Sequence, residues 1–85
     1  MYSVAIERNA LKSLNGIPNK DAKKIENAIS DLVEDPRPMG YIQLKGRSGF
    51  RIRVGDYRII YEINDGELSI LVVEIGNRKE IYKKK

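Results

Sequence analysis

The sequence predicts a small α+β domain. Two N-terminal helices pack on one face of a mainly antiparallel, twisted four-stranded sheet, in the order β-α-α-β-β-β over residues 1–85. Three observations predict it. Apolar residues recur at helical spacing as far as Val33, and the period becomes two from Leu44 onward. Between the two regimes stands Asp35-Pro36-Arg37-Pro38, where each residue before a proline is pushed out of the α region.

Tyr2, Val4 and Ile6 alternate with Ser3 and Ala5, the pattern of a short strand. Glu7 to Asn15 carries Ala10, Leu11 and Leu14 at helical spacing, and Asn15-Gly16 followed by Pro18 stops that helix. Asn19 offers an N-cap for a second helix. Its stripe Ala22, Ile25, Ile29, Leu32 and Val33 leaves Lys20, Lys23, Lys24 and Glu26 outside. In the second half, Phe50, Ile52 and Val54 alternate with Arg51 and Arg53. Tyr57, Ile59, Tyr61 and Ile63 alternate with Arg58, Ile60 and Glu62. Leu68 to Ile75 is apolar on both faces except at Ser69 and Glu74, as suits a strand in mid-sheet. Gly55-Asp56 and Asp65-Gly66 are hairpin signals for two-residue turns. The tail after this strand either adds a last strand or frays.

At 85 residues the chain makes one domain with a thin core. With no cysteine, a disulfide framework and a thiolate metal site are excluded. With no histidine, the commonest general base and transition-metal ligand are missing. Asp31, Glu34 and Asp35 cluster, but nothing near them in sequence completes a coordination shell, so they read as a solvated helix end. No metal and no cofactor is expected. Met1-Tyr2-Ser3-Val4 lacks the layout of a signal peptide and the longest apolar stretch is too short to span a bilayer, so a cytoplasmic location away from membranes is expected. A net charge of +4 points weakly to nucleic acid or another acidic partner, and Lys83-Lys84-Lys85 reads as a solvated tail, with non-specific attraction for RNA as its other role.

The position of the charge says more than its sum. If both turns hold two residues, Arg53 faces Arg58, Ile52 faces Ile59 and Arg51 faces Ile60. Across the next turn Asn64 faces Glu67, Ile60 faces Leu71 and Arg58 faces Val73. One face then carries Phe50, Ile52, Val54, Ile59, Tyr61, Ile63, Leu68, Ile70 and Val72 against the helices. The other carries Arg51, Arg53 and Arg58 over a floor of Ile60, Leu71 and Val73. Like charges directly opposite each other destabilise a sheet, so a purely structural sheet has little reason to place Arg53 against Arg58. A polyanion supplies the missing charge, and the guanidinium fork grips phosphate in a bidentate way. The plain alternative is a solvated face, and three arginines converging on one patch argue against it.

Leu44-Lys45-Gly46, Phe50-Arg51-Ile52-Arg53-Val54, Tyr57-Arg58-Ile59-Ile60-Tyr61 and Gly76-Asn77-Arg78-Lys79-Glu80-Ile81-Tyr82 together resemble the RelE/ParE toxin superfamily, and within it the RelE type. The resemblance covers nearly the whole chain. It implies a RelE-like fold and a toxin of a type II toxin–antitoxin system that cleaves messenger RNA on the ribosome. The family's two strand lysines fall on Arg51 and Arg53, its strand arginine on Arg58, its late arginine on Arg78 and its late tyrosine on Tyr82. The resemblance thus implies catalytic roles for Arg51, Arg53, Arg58, Arg78 and Tyr82. RNA binding is expected of Lys45, Arg47, Arg51, Arg53 and Arg58. It implies two partners, a cognate antitoxin and messenger RNA on the ribosome, and no small-molecule cofactor.

The chemistry would be metal-independent attack of the neighbouring 2′-hydroxyl on the phosphate. Arginine stays protonated at useful pH, so replacing the family's lysines removes a plausible base. Tyr82 is the first choice to take the proton, with Glu80 or Glu62 behind it; stacking on a base or orienting the nucleophile are its other roles. The alternative is a slow enzyme that depends mainly on positioning and charge stabilisation. Two rival readings share the fold. One is a ParE-like protein that inhibits gyrase through a protein interface and cuts no RNA. The other is a relative that binds RNA without cutting it.

Overall fold

The structure, a computed structural model, describes residues 1–77. Along the chain run β1 (Ser3–Ile6), α1 (Arg8–Asn15), α2 (Asn19–Glu34), β2 (Ile42–Gln43), β3 (Phe50–Val54), β4 (Tyr57–Asn64) and β5 (Ser69–Asn77). The sheet order is β1-β5-β4-β3-β2, with β1 parallel to β5 and every other pair antiparallel. The sheet therefore has five strands where the sequence predicts four. The extra one is the two-residue β2, whose Ile42 and Gln43 pair with Arg51 and Phe50. Two exposed residues are too few to show an alternation, which is why the pattern hides them.

Both helices form from the stripes that predict them. In α1, Ala10 and Leu14 are buried while Leu11 stays on the outside. In α2, Ala22, Ile25, Ile29 and Leu32 are buried and Lys20, Lys23, Lys24 and Glu26 are exposed. Asn19 is not the N-cap. Pro18 takes that position, and its carbonyl accepts from the amides of Asp21 and Ala22 at 3.0 and 2.9 Å. A proline cannot donate, so it suits a place where the first amides have no partner within the helix. The helix ends at Asp35, which is extended ahead of Pro36 as expected.

The core forms between these stripes and one face of the sheet: Ile25, Ile29 and Leu32 join Ile52, Ile59, Tyr61, Ile70, Val72 and Ile75. Phe50, Val54, Tyr57 and Ile63 pack at its margin. Leu68 is not part of it. It stands 47% exposed with φ of 55°, in the left-handed region that a branched side chain rarely enters.

That misplacement follows from the second turn. Gly55-Asp56 is the two-residue turn expected, with Val54 opposite Tyr57 and φ of 60° at Gly55. Asp65-Gly66 is not. Asn64 pairs with Ser69, so the loop holds four residues, and the amide of Glu67 donates to Asn64 Oδ1 at 3.0 Å. An asparagine closing its own turn competes with the tighter hairpin and wins here. The predicted pairings of Asn64 with Glu67, Ile60 with Leu71 and Arg58 with Val73 are all replaced. Leu71 faces Glu62, and between Tyr61–Val72 and Ile60–Glu74 the register slips by one more residue. Val73 is the extra residue of a β-bulge.

At the end of the sheet where β4 turns into β5, the chain is tied across elements. The amide of Tyr2 donates to the carbonyl of Val33 at 2.9 Å, and the Tyr2 hydroxyl donates to Asp65 Oδ1 at 2.6 Å. Arg37 donates to both Asp65 oxygens at 3.3 and 3.0 Å, and its guanidinium lies 5.6 Å from the centre of the Phe50 ring. Hydrogen bonds from Arg37 and Tyr2 hold the Asp65 carboxyl below its ordinary range. The hydrogen bond to Asp65 pushes the Tyr2 phenol up. Beneath them the buried Tyr61 hydroxyl donates to the Pro36 carbonyl at 2.7 Å, fixing the proline break against the core. No helix among the described residues is long and apolar enough to cross a membrane.

Burial pushes the Tyr61 phenol from its ordinary 10 up to about 12. Because the folded value is the higher one, this group's contribution is complete below pH 10 and is lost as pH rises towards 12. Tyr61→Phe leaves the Pro36 carbonyl without its donor, a loss of about 1–3 kcal/mol in urea unfolding at neutral pH. The same variant should also lose stability less steeply than the parent above pH 10.

Candidate nucleic-acid interface

The face of the sheet turned away from the helices is ordered in rows by the register. One row is Arg53–Arg58–Gly76, beside the Gly55-Asp56 turn. The next is Arg51–Ile60–Glu74, and beyond it Glu62 stands opposite Leu71. The structure thus brings Arg51, Arg53 and Arg58 together, with Arg53 and Arg58 as direct cross-strand neighbours. Their exposure differs. Arg53 is exposed, Arg51 is half-buried, and Arg58 is only 8% exposed beside a buried Ile60. Arg58 is therefore a floor residue whose charge is felt at the surface, and Arg53 is the one that stands up from the sheet.

The loop between β2 and β3 supplies further cations. Lys45 and Arg47 are both exposed in it. It closes through the Leu44 amide donating to the Gly49 carbonyl at 3.0 Å. Gly49 has φ of +117°, and a Cβ there would lie 3.1 Å from the Tyr61 carbonyl oxygen, so the loop can sit against β4 only with glycine at this position. Held this way, Arg47 reaches across the sheet, and its NH1 lies 3.4 Å from Glu74 Oε1 on β5. Arg37, the other basic residue near the sheet, is not part of the patch. It serves the Asp65 tie over Phe50, on the helix side.

Glu74 is the residue that sequence reasoning misses. Strict alternation from Ile70 and Val72 would send it into the core. The bulge at Val73 turns it onto the arginine face and puts Ile75 into the core in its place. The signal was present: a lone carboxylate at a core phase, followed by an isoleucine at the wrong one, requires a slip of one residue. Arg78, Tyr82 and Glu80, together with Lys83 to Lys85, lie outside the described residues. Among the described residues no group of three or more carboxylates is placed to hold a metal ion.

A face that among the described residues carries four arginines and two carboxylates, Glu74 within the arginine rows and Glu62 beyond them, can do two things chemically. It can bind phosphates by charge-assisted, bidentate hydrogen bonds, and it can stabilise negative charge that develops on a phosphate.

Comparison with known proteins shows the family and the fold. The family described as ParE toxin of type II toxin-antitoxin system, parDE, matches residues 4–82. A Mycobacterium tuberculosis protein named Toxin RelE is 31% identical over 84 residues, covering 96% of this chain and 87% of its own. The archaeal RelE–RelB complex from Pyrococcus horikoshii contains a chain with a TM-score of 0.81 and 28% identity, covering 91% of this chain and 94% of that one. The RelB–RelE antitoxin–toxin complex from Methanococcus jannaschii gives a TM-score of 0.77 at 26% identity, covering 94% and 96%.

The opposed arginines carry a measurable cost. Arg53→Thr removes a like-charge pair and places a β-branched residue on the strand, so it should raise the unfolding free energy by about 0.2–1 kcal/mol at low salt. The gain should shrink at high salt, where the repulsion is screened; urea unfolding at two ionic strengths checks both.

Proposed function

Because the chain belongs to the RelE/ParE superfamily of toxins of type II toxin–antitoxin systems, we propose that it is one of the RNA-cleaving kind, a ribosome-dependent endoribonuclease that stops translation by cutting messenger RNA. The observation that carries this reading is the convergence of Arg51, Arg53, Arg58 and Arg47 on one open sheet face.

In this reading the reaction is attack of a 2′-hydroxyl on the adjacent phosphate, without a metal. Arg53 and Arg47 hold the phosphate from the exposed side. Arg51 and Arg58 lie at the level of the sheet, where a guanidinium fixed by its surroundings stabilises developing charge without having to reorganise. Lys45 adds attraction for the RNA backbone. The family resemblance assigns Arg78 to the leaving-group side and Tyr82 to orienting or stacking at the scissile nucleotide.

A cognate antitoxin is the second partner, as in the RelE–RelB complexes of the archaeal relatives. The chain offers such a partner apolar ground outside the arginine face. Val4 on the edge strand β1, Leu11 on α1, and Met39 and Ile42 around β2 are all exposed. An edge strand also presents backbone groups that a partner's strand can pair with.

The family's description names ParE toxins, and the second reading is a ParE-like toxin that inhibits gyrase and cuts no RNA. Primer extension on messages after inducing the wild type and an Arg53→Ala, Arg78→Ala double variant separates the two. The nuclease reading expects cuts with the wild type alone, and on translated messages alone. A toxic wild type that leaves messages intact, with toxicity surviving Arg53→Ala, would move the gyrase reading to the front.

A further inference from the structure

The geometry points to Glu74 as the general base of this toxin, the group that takes the proton from the attacking 2′-hydroxyl. The inference rests on the nuclease reading above. Its starting point is a chemical gap. A guanidinium cannot accept a proton, and the chain has no histidine and only arginines at the two strand positions of the basic face. A tyrosine phenol, with an ordinary pKa near 10, is about one part in a thousand ionised at neutral pH. A lysine, with an ordinary pKa of about 10.4, is likewise almost wholly protonated there, whereas a carboxylate is ionised and ready to accept a proton, so the question is which carboxylate the fold brings to the arginines.

Two carboxylates among the described residues stand on this face, and the register separates them. Glu62 is exposed and is the diagonal neighbour of Arg51, but it lies four residues along β4 from Arg58, about 13 Å at the usual rise per residue, on the side away from the Arg53–Arg58 row. Glu74 occupies the row of Arg51 and Ile60. It is also the diagonal neighbour of Arg58, whose direct partner is Gly76, and such diagonal positions lie about 7–8 Å apart, within reach of long side chains. Gly76 has no side chain to stand between Glu74 and the Arg53–Arg58 row.

Two further features separate Glu74 from an incidental surface charge. It reaches this face only because β5 carries the bulge at Val73; without the slip its phase is that of the core. Its side chain is half-buried at 32% exposure, and Arg47 holds Oε1 at 3.4 Å. That contact leaves the second oxygen, Oε2, to take a proton. Arg47 is then a positioning residue as well as a phosphate contact.

The step balances with water as the only other participant. The 2′-oxygen gives its proton to the Glu74 carboxylate as the O2′–P bond forms. The P–O5′ bond breaks with its electron pair on O5′, which takes a proton from water. Glu74 returns its proton to solvent. The products are a 2′,3′-cyclic phosphate end and a 5′-hydroxyl end.

The test is single-turnover cleavage of a short message on programmed ribosomes by the wild type, Glu74→Gln and Glu74→Ala, with ribosome binding measured in parallel. Glu74→Gln should cut about 100-fold or more slowly while binding stays within about twofold, the range expected for loss of a general base. Added formate should restore cutting by Glu74→Ala and leave Glu74→Gln unchanged, which a merely structural role would not produce. Cutting by Glu74→Gln at the wild-type rate overturns the assignment. So does a loss that only follows weaker ribosome binding. A wild type that binds ribosomes and never cuts overturns the nuclease reading itself, and this assignment with it.

Discussion

The architecture depends on one constraint: β5 must satisfy neighbours with different demands along its length. Its first half lies between β1 and β4, and pairs in parallel with Ser3 to Ile6 as far as Val72. There the alternation is regular, with Ile70 and Val72 in the core. The bulge comes at the next residue, where pairing to β1 has ended and the Glu7 amide donates to the Val72 carbonyl on the way into α1. A bulge in mid-strand would disturb two ladders. Placed at Val73 it disturbs one. Beyond it Ile75 rejoins the core cluster to which Ala10 and Leu14 of α1 belong. One inserted residue therefore lets β5 serve the core twice and put Glu74 on the open face.

The charge distribution follows from the same topology. The two ends of the sheet are used differently. At the β4–β5 end, Tyr2, Arg37, Asp65 and Tyr61 consume their polar groups in tying the N-terminus, the proline break and the loop together. At the β3–β4 end a two-residue turn keeps Arg53 and Arg58 opposed, with Gly76 beside them. Separation matters because an arginine engaged with a carboxylate over an aromatic ring is already satisfied, as Arg37 is. Arg53 has another cation, Arg58, directly across the ladder. Stability and recognition are in this sense drawn from different basic residues, and a loss of one need not carry the other with it.

Much of this was legible beforehand, and the reasons differ by element. The helices were readable because their stripes are long enough for a period of 3.6 to stand out. The β3–β4 pairing was readable because Gly55-Asp56 admits one tight turn, and the opposition of Arg53 to Arg58 came with it. The β4–β5 pairing was not. Asp65-Gly66 has the composition of a tight turn, but the Asn64 side chain captures the Glu67 amide and lengthens the loop. Strand β2 was unreadable because two exposed residues carry no pattern. The position of Glu74 required counting phase through Ile75, which a reading of Leu68 to Ile75 as apolar on both faces except at Ser69 and Glu74 conceals.

The same comparison explains why the family's chemistry has to be rebuilt on this chain residue by residue. In the nuclease reading, Arg51 and Arg53 stand where the RelE resemblance implies lysines: arginine keeps the charge and a fork suited to phosphate but gives up any capacity to accept a proton. A substitution that preserves binding and removes proton transfer shifts that demand to another group. The open face holds one half-buried carboxylate in the row of Arg51, steadied by an arginine from a loop that only a glycine at position 49 allows to close. In the proposed mechanism the arginines of β3 and the carboxylate delivered by β5 are two halves of one arrangement. The bulge at Val73 is what makes the second half geometrically possible.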